Sequence, residues 1–290
     1  MSSEYEIIKY AQDRNPNSHI HEELEILISL NSEGKFFVRE HGYPLRFGMV
    51  FILPPFEIHR CFCNGNQNYD RYIIHFKREL LKKMSTNHTD LLELFGSCPL
   101  VCQASDDILA KMMSDLAALV KEQGTEFGDD IARNLQFQNF LLTVARLFKS
   151  VERGPHLALE NEGRVGEILS YIHVNYMHQL TLDTITKELF ISRSQLSQVF
   201  KNETGFSVGD YIIMYRIKRA CSLLQGGMSV QDVGATVGFQ STANFIRIFK
   251  KEWVAPRVNL HRPNRRSSIK AFKGVKAQQA GDAVFWNHFR

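Results

Sequence analysis

Hydrophobic and polar positions change rhythm three times along the chain. Up to about residue 102 the apolar residues come in short runs, Leu24–Leu30, Phe36–Arg39, Met49–Leu53 and Tyr72–Phe76, rich in β-branched and aromatic side chains. Such residues suit a pleated, half-buried surface. Asn31-Ser32-Glu33-Gly34, Gly42, Pro54-Pro55 and Asn64-Gly65-Asn66 separate the runs as turn formers. Many short strands at this spacing predict a small antiparallel barrel or sandwich. From Ser105 the period becomes helical. Ile108, Met112, Leu116, Leu119 and Val120 share one face, and Ser105, Asp106 and Asp107 suit the positive end of a helix. Beyond Gly128 a second helix carries Ile131, Leu135, Leu142, Ala145 and Phe148 on one side, with Phe137, Phe140, Leu141, Val144 and Leu147 beside them. So wide an apolar surface has to bury more than one face, which predicts a homodimer through this helix.

The stretch from Glu152-Arg153-Gly154-Pro155 to Glu162-Gly163 has no period and reads as a linker. Helical spacing then runs through residues 164–251, and an internal repeat lies within it. One unit is LTLDTITKELFISRSQLSQVFK (180–201); the other is MSVQDVGATVGFQSTANFIRIFK (228–250). Leu182, Ile185 and Leu189 match Val230, Val233 and Val237 at an offset of 48, and Leu196, Val199 and Phe200 match Phe245, Ile248 and Phe249 at 49. The second copy therefore has one more residue in its turn. Each unit predicts a short helix, a tight turn and a longer helix, with Thr181, Ser192, Ser229 and Ser241 as N-caps. The apolar spacing buries the first helix and leaves Ser, Gln, Asn and Arg facing outward on the second.

Charge sharpens this picture. Residues 1–163 hold 17 Lys and Arg against 23 Asp and Glu, whereas residues 164–290 hold 18 against 8. An acidic half joined to a basic half directs only the second towards a polyanion.

Several motifs of the basic half resemble the AraC/XylS family of transcription regulators. TGFSVGDYIIMYRIKRACSLL (204–224), with Arg216, Ile217 and Ala220, is similar to that family's linker helix. Val237-Gly238-Phe239 followed by Phe245-x3-Phe249-Lys250-Lys251 is similar to its second-unit signature. The family has Ala where this chain has Thr186 and Gly234, and its pattern is lost from Glu252 onward. The resemblance implies two recognition helices entering successive major-groove segments of double-stranded DNA. It places Ser194, Ser197 and Gln198 of the first, and Thr242, Asn244 and Arg247 of the second, at base edges. Arg can bind guanine O6/N7 in two places, and Asn or Gln can do so for adenine N6/N7. Lys201, Lys250 and Lys251 fall where phosphates are held, which fixes register without reading sequence. RNA polymerase is an implied partner.

In the acidic half, His19-x-His21-x3-Glu25 and Gly48-x5-Pro54-x4-His59 resemble the two motifs of cupin barrels, with Phe56 standing where a glycine is usual. In metal-binding cupins such residues converge on one ion. In regulators of this family the barrel serves as an effector pocket, so His19, His21, Glu25 and His59 are expected to touch a small organic effector, with no metal or cofactor required. Two classes compete: a ligand-responsive regulator, and a metal-dependent cupin enzyme with a helical appendage. The duplicated helix-turn-helix decides for the regulator, because an enzyme has no use for it. No triad, phosphate-binding glycine loop or Cys-x2-Cys pair speaks for catalysis.

The expected fold class is α+β. Residues 1–150 form a cupin-like effector-binding and dimerisation barrel with flanking helices, and 151–163 a linker. Residues 164–260 form an all-α domain with two helix-turn-helix units, and 261–290 a basic tail without fixed structure. No apolar run approaches the roughly 20 residues of a membrane span, and the start lacks a secretory pattern, so the expected location is the cytoplasm. Cys61, Cys63, Cys98, Cys102 and Cys221 are then read as small buried apolar side chains rather than disulfides or zinc ligands.

Overall fold

The computed structural model describes residues 5–10, 20–31, 33–62, 70–97, 101–121, 126–150 and 163–252. Among these, eight strands build two antiparallel sheets. Strands β1 (Tyr5–Tyr10), β2 (Leu24–Ser29), β5 (Met49–Leu53), β7 (Arg71–Phe76) and β8 (Val101–Gln103) form one, in the order β1-β7-β2-β5-β8. The other joins β3 (Lys35–Val38), β4 (His41–Pro44) and β6 (His59–Phe62) in the order β4-β3-β6.

Period-two alternation sorts the side chains into layers. On the five-stranded sheet, Leu24, Ile26, Ile28, Val50, Ile52, Ile74 and Phe76 face the helices α1 (Arg78–Met84), α2 (Leu91–Ser97), α3 (Asp106–Lys121) and α4 (Asp129–Ser150). The opposite face supplies Leu27, Phe51, Leu53 and Ile73 to a core shared with Phe36, Val38, Tyr43 and Cys61 of the three-stranded sheet. β2, β5 and β7 are buried at every position. Strands covered on both faces have little room for polar residues: β5 is an unbroken apolar run, and β2 and β7 are apolar apart from the buried Glu25, Ser29, Arg71 and His75. Helix α4 packs Phe137, Phe140, Leu141, Val144, Leu147 and Phe148 onto the sheet and leaves Ile131 and Leu135 about 60% exposed.

Six helices follow: α5 (Arg164–Asn175), α6 (Leu182–Glu188), α7 (Arg193–Thr204), α8 (Val208–Gln225), α9 (Val230–Thr236) and α10 (Thr242–Glu252). All four expected caps are formed. Thr181 and Ser192 make reciprocal capping boxes with Thr184 and Gln195, and Ser229 and Ser241 accept from the amides of Asp232 and Asn244. The apolar core of this domain continues into the outer face of the three-stranded sheet: Phe37 and Phe62 pack with Phe206 and Tyr211. Gly205 closes α7 in the left-handed region at φ 76, and a Cβ there would lie 2.6 Å from the Phe62 ring. Lys35 Nζ seals the edge by donating to Glu203 Oε2 at 2.8 Å.

Although the family pattern is lost from Glu252 onward, Val237, Phe245 and Phe249 are all at most 1% exposed. Phe245 packs its ring against those of Phe239 and Phe249, and α8 and α9 close over them. Residues 253–290, with the basic tail, and 151–162, with most of the linker, lie outside the described residues. Cys61, Cys102 and Cys221 are buried, and Cys63 and Cys98 also fall outside.

The repeat exposes one strained position. Phe190 holds φ 50 in the first turn with its side chain 91% exposed, whereas its counterpart in the second turn is Gly238, at φ 88. A left-handed conformation costs a residue with a Cβ about 1–2 kcal/mol, and glycine forfeits about 0.5–1 kcal/mol through unfolded-chain entropy. Phe190→Gly should therefore stabilise the protein by about 0.5–1 kcal/mol in denaturant titration. A lower midpoint would show that the ring makes a contact worth more than the strain.

Candidate functional site

Each helix-turn-helix unit gains its shape from a few buried anchors. In the first, Ile185, Ile191, Leu196 and Phe200 are buried, which turns the opposite side of α7 to solvent. Ser194, Ser197, Gln198 and Lys201 are all exposed on that side. In the second, Val233, Val237, Phe245 and Phe249 play the same part. Arg247, Lys250 and Lys251 of α10 are exposed, and Thr242 and Asn244 half-buried. Asn244 Oδ1 accepts from Arg247 Nη2 at 3.0 Å, so the two side chains expected at base edges lie side by side. Arg193, in the first turn of α7, is 62% exposed and held by Asp183 at 2.6 Å. The sequence reading passed over Arg193, although a cation at the start of a recognition helix is signal enough.

The linker helix α8 fixes the two units relative to each other. Arg216 donates from Nε to the Tyr176 carbonyl and from Nη2 to the His178 carbonyl, both at 2.8 Å. Its guanidinium also lies 5.7 Å from the centre of the Phe239 ring in the second turn. At Gly238 the backbone passes so close to the same segment that a Cβ would sit 2.7 Å from the Met177 carbonyl oxygen. One arginine thus ties α8, the end of α5 and the second turn together.

Within the barrel the cupin-like motifs converge in part. His21 Nε2 and His75 Nε2 each lie 3.0 Å from Glu25 Oε2, and His59 Nε2 lies at 3.6 Å. All four residues are buried between the sheets. His19 falls outside the described residues. His75 was missed in the sequence, although its place in the run RYIIHF marks it as a polar group facing inward from a strand covered on both faces. Glu25 and His75 are register partners on β2 and β7. Burial raises the Glu25 carboxyl, but the surrounding imidazoles outweigh it and hold the group well below its usual range. Burial works against the His75 imidazolium, yet Glu25 and Glu6 push its pKa up to about 9. For His59 burial prevails over Glu25, and its pKa falls. Phe56, at the motif's glycine position, takes φ 61.

A cavity of about 550 Å³ opens where the barrel meets α8, lined by Arg39, His41 and Tyr43 near the β3–β4 turn, by Glu57, and by Tyr215 and Lys218 of α8. Glu57 is 6% exposed and bridges the domains, taking Arg39 Nε at 3.0 Å and Lys218 Nζ at 2.5 Å. Glu40 reaches across to His173 at 3.2 Å.

Comparison with known proteins meets both halves of this geometry. The family described as AraC-like ligand binding domain matches residues 2–141, and that described as helix-turn-helix domain matches residues 185–253. The Msm operon regulatory protein of Streptococcus mutans is 28% identical over 235 residues, 76% of this chain and 77% of that protein. PqrA of Proteus vulgaris, described as a probable transcription factor, is 33% identical over 95 residues, 32% of this chain and 78% of its own. A crystal structure of ToxT from Vibrio cholerae aligns over 88% of this chain and 97% of its own, at 14% identity and a TM-score of 0.38. Among the described residues no helix is long and apolar enough to cross a membrane. With a ligand-binding barrel ahead of a duplicated helix-turn-helix, the chain belongs to the AraC family and is a DNA-binding transcription regulator.

Proposed function

We propose that this regulator reads two successive major-groove segments with α7 and α10, and that a small molecule seated between barrel and α8 sets how well it does so. The observation that carries the reading is the pair of N-capped helices, each with an exposed polar face, spaced by one arginine-clamped linker helix. Ser194, Ser197 and Gln198 meet base edges in the first segment, and Thr242, Asn244 and Arg247 in the second. Lys201, Lys250 and Lys251 hold phosphates. RNA polymerase is the protein partner at the promoter, the chain works by binding alone, and its place is the cytoplasm.

The effector belongs in the interdomain cavity. His21, Glu25 and His59 are each under a tenth exposed and engaged with one another, so a ligand there would have to break the barrel's own contacts. In the cavity, the carboxylates of Glu57 and Glu40 stand against the two cations Arg39 and Lys218, while the tyrosines offer flat faces. Compensated planar groups beside aromatic rings suit a neutral, hydroxyl-rich molecule of sugar type, which can take bidentate hydrogen bonds without bringing charge. Binding there moves the barrel against α8, the helix that spaces the two readers. In calorimetry with a panel of mono- and disaccharides, at least one should bind, and Tyr215→Ala should weaken it about tenfold or more, the loss of roughly 1.4 kcal/mol. Binding that Tyr215→Ala leaves intact would place the effector elsewhere.

Arg247→Ala should cost about 1–3 kcal/mol of specific affinity and relax base preference at one position. An unchanged preference in a randomised-site selection would remove Arg247 from the readers.

The chain pairs with a second copy through the stripe that α4 leaves uncovered, Ile131, Leu135 and the half-buried Leu142. Leu135→Lys with Leu142→Lys should give a folded monomer by light scattering. A folded dimer would move the interface off α4.

A further inference from the structure

Arg193 stands where a helix least favours a cation. It is the first residue of α7, at the end that unpaired amides make positive. Ser192 and Gln195 already cap that end between them, so the guanidinium has no capping task. Its Nη2 instead donates to Asp183 Oδ1, in the first turn of α6, at 2.6 Å. With the two side chains 62% and 76% exposed, such a pair adds little to stability. Nor does the shape of the unit depend on it. At the offsets of the repeat, Gln231 stands in the place of Asp183 and Thr242 in that of Arg193. The second unit forms the same two helices with no charge at either position.

The residues proposed to read the first DNA segment leave it short of a strong reader. Ser194 and Ser197 offer hydroxyls, which suit any base, and only Gln198 can grip a base in two places. The second segment has both Asn244 and Arg247. In a recognition helix it is the N-terminal residues that meet base edges, and Arg193 lies there. Resting on the proposed reading of DNA by α7 and α10, we infer that Arg193 reads a guanine in the first segment and that Asp183 is the positioning residue that holds its guanidinium. Nη2 bears two hydrogens, and whichever goes to Asp183, one two-donor edge of the fork is left for guanine O6 and N7. The carboxylate also decides between base and phosphate. A phosphate drawn to this guanidinium would meet the Asp183 charge and be repelled, whereas the guanine acceptors are neutral. Asp183 thus cancels the sequence-independent attraction of Arg193 for the backbone and keeps its hydrogen-bonding geometry, which favours discrimination over bulk affinity. The second unit orients its arginine with a neutral acceptor, Asn244 Oδ1 against Arg247 Nη2.

The test uses the full-length protein and a site that it selects from randomised duplex DNA. Arg193→Ala should weaken binding to that site at least about tenfold, through loss of one bidentate base contact, and erase a guanine preference at one position. Its affinity for random duplex should change by less than about twofold. Arg193→Lys keeps the charge but not the fork, so it should lose the same preference. Asp183→Asn should bind random duplex more tightly, with the slope of log K against log salt steeper by about one, and show a flatter guanine preference. Arg164→Ala removes an exposed cation of α5 and should leave the preference intact. Equal losses on selected and random duplex in Arg193→Ala, with a shallower salt slope, would make Arg193 a phosphate contact and overturn the inference. A guanine preference kept in full by Arg193→Lys or by Asp183→Asn would overturn it too. A wild-type protein that selects no site would bring down the reading by α7 and α10 along with it, whereas a site that Arg247→Ala degrades and Arg193→Ala does not would sink this inference alone.

Discussion

The structure depends on a core that does not stop at the domain boundary. The three-stranded sheet is apolar on both faces: Phe36, Val38 and Cys61 fill the space between the sheets, while Phe37 and Phe62 sit among Phe206, Tyr211 and their neighbours in the helical domain. Strands β3 and β6 are therefore walls of two cores at once, and neither sheet nor helices can shift without the other responding. Burying apolar surface is worth about 25 cal/mol per Å², so a few large rings placed this way outweigh the surface ion pairs around them. The pairs serve another purpose. Lys35–Glu203, Glu57–Lys218 and Glu40–His173 ring the apolar contact and fix its orientation. Small changes on the barrel side are thereby felt at the end of α7 and along α8.

From that constraint the regulatory logic follows. The residues of α7 and α10 proposed to read DNA are exposed or half-buried, and on that proposal the barrel acts on spacing and orientation rather than by covering the helices. Arg216 carries the link onward, because it joins α8 to the end of α5 and to the second turn through two carbonyls and one aromatic face. The ligand proposed beside Tyr215 and Lys218 would act on the same helix, two residues or fewer from that clamp.

Much of this was legible in the sequence because local chemistry decides it. Thr181, Ser192, Ser229 and Ser241 cap helices wherever the following residues allow, and all four do so. The repeat gave both units, and its one-residue offset marks the longer second turn that holds Gln240. What long-range packing decides was not legible. His75 joins Glu25 only through the β2–β7 register, and nothing near it in sequence announces that pairing. The stripe of α4 looked uniform, yet the sheet covers Ala145 and Phe148 and leaves Ile131 and Leu135 bare. Val237, Phe245 and Phe249 are buried in one core with residues of α8 and α9. The interdomain cavity had no signature at all, since residues as far apart as Phe37 and Lys218 form it.

The central claim is that one chain reads DNA at two adjacent major-groove segments through helices held apart by α8. Methylation and ethylation interference on a selected binding site measures this directly. The account predicts two clusters of guanine N7 contacts about 10 base pairs apart on one face of the duplex, flanked by phosphate contacts. A single cluster, or interference confined to phosphates with no base positions, would contradict it.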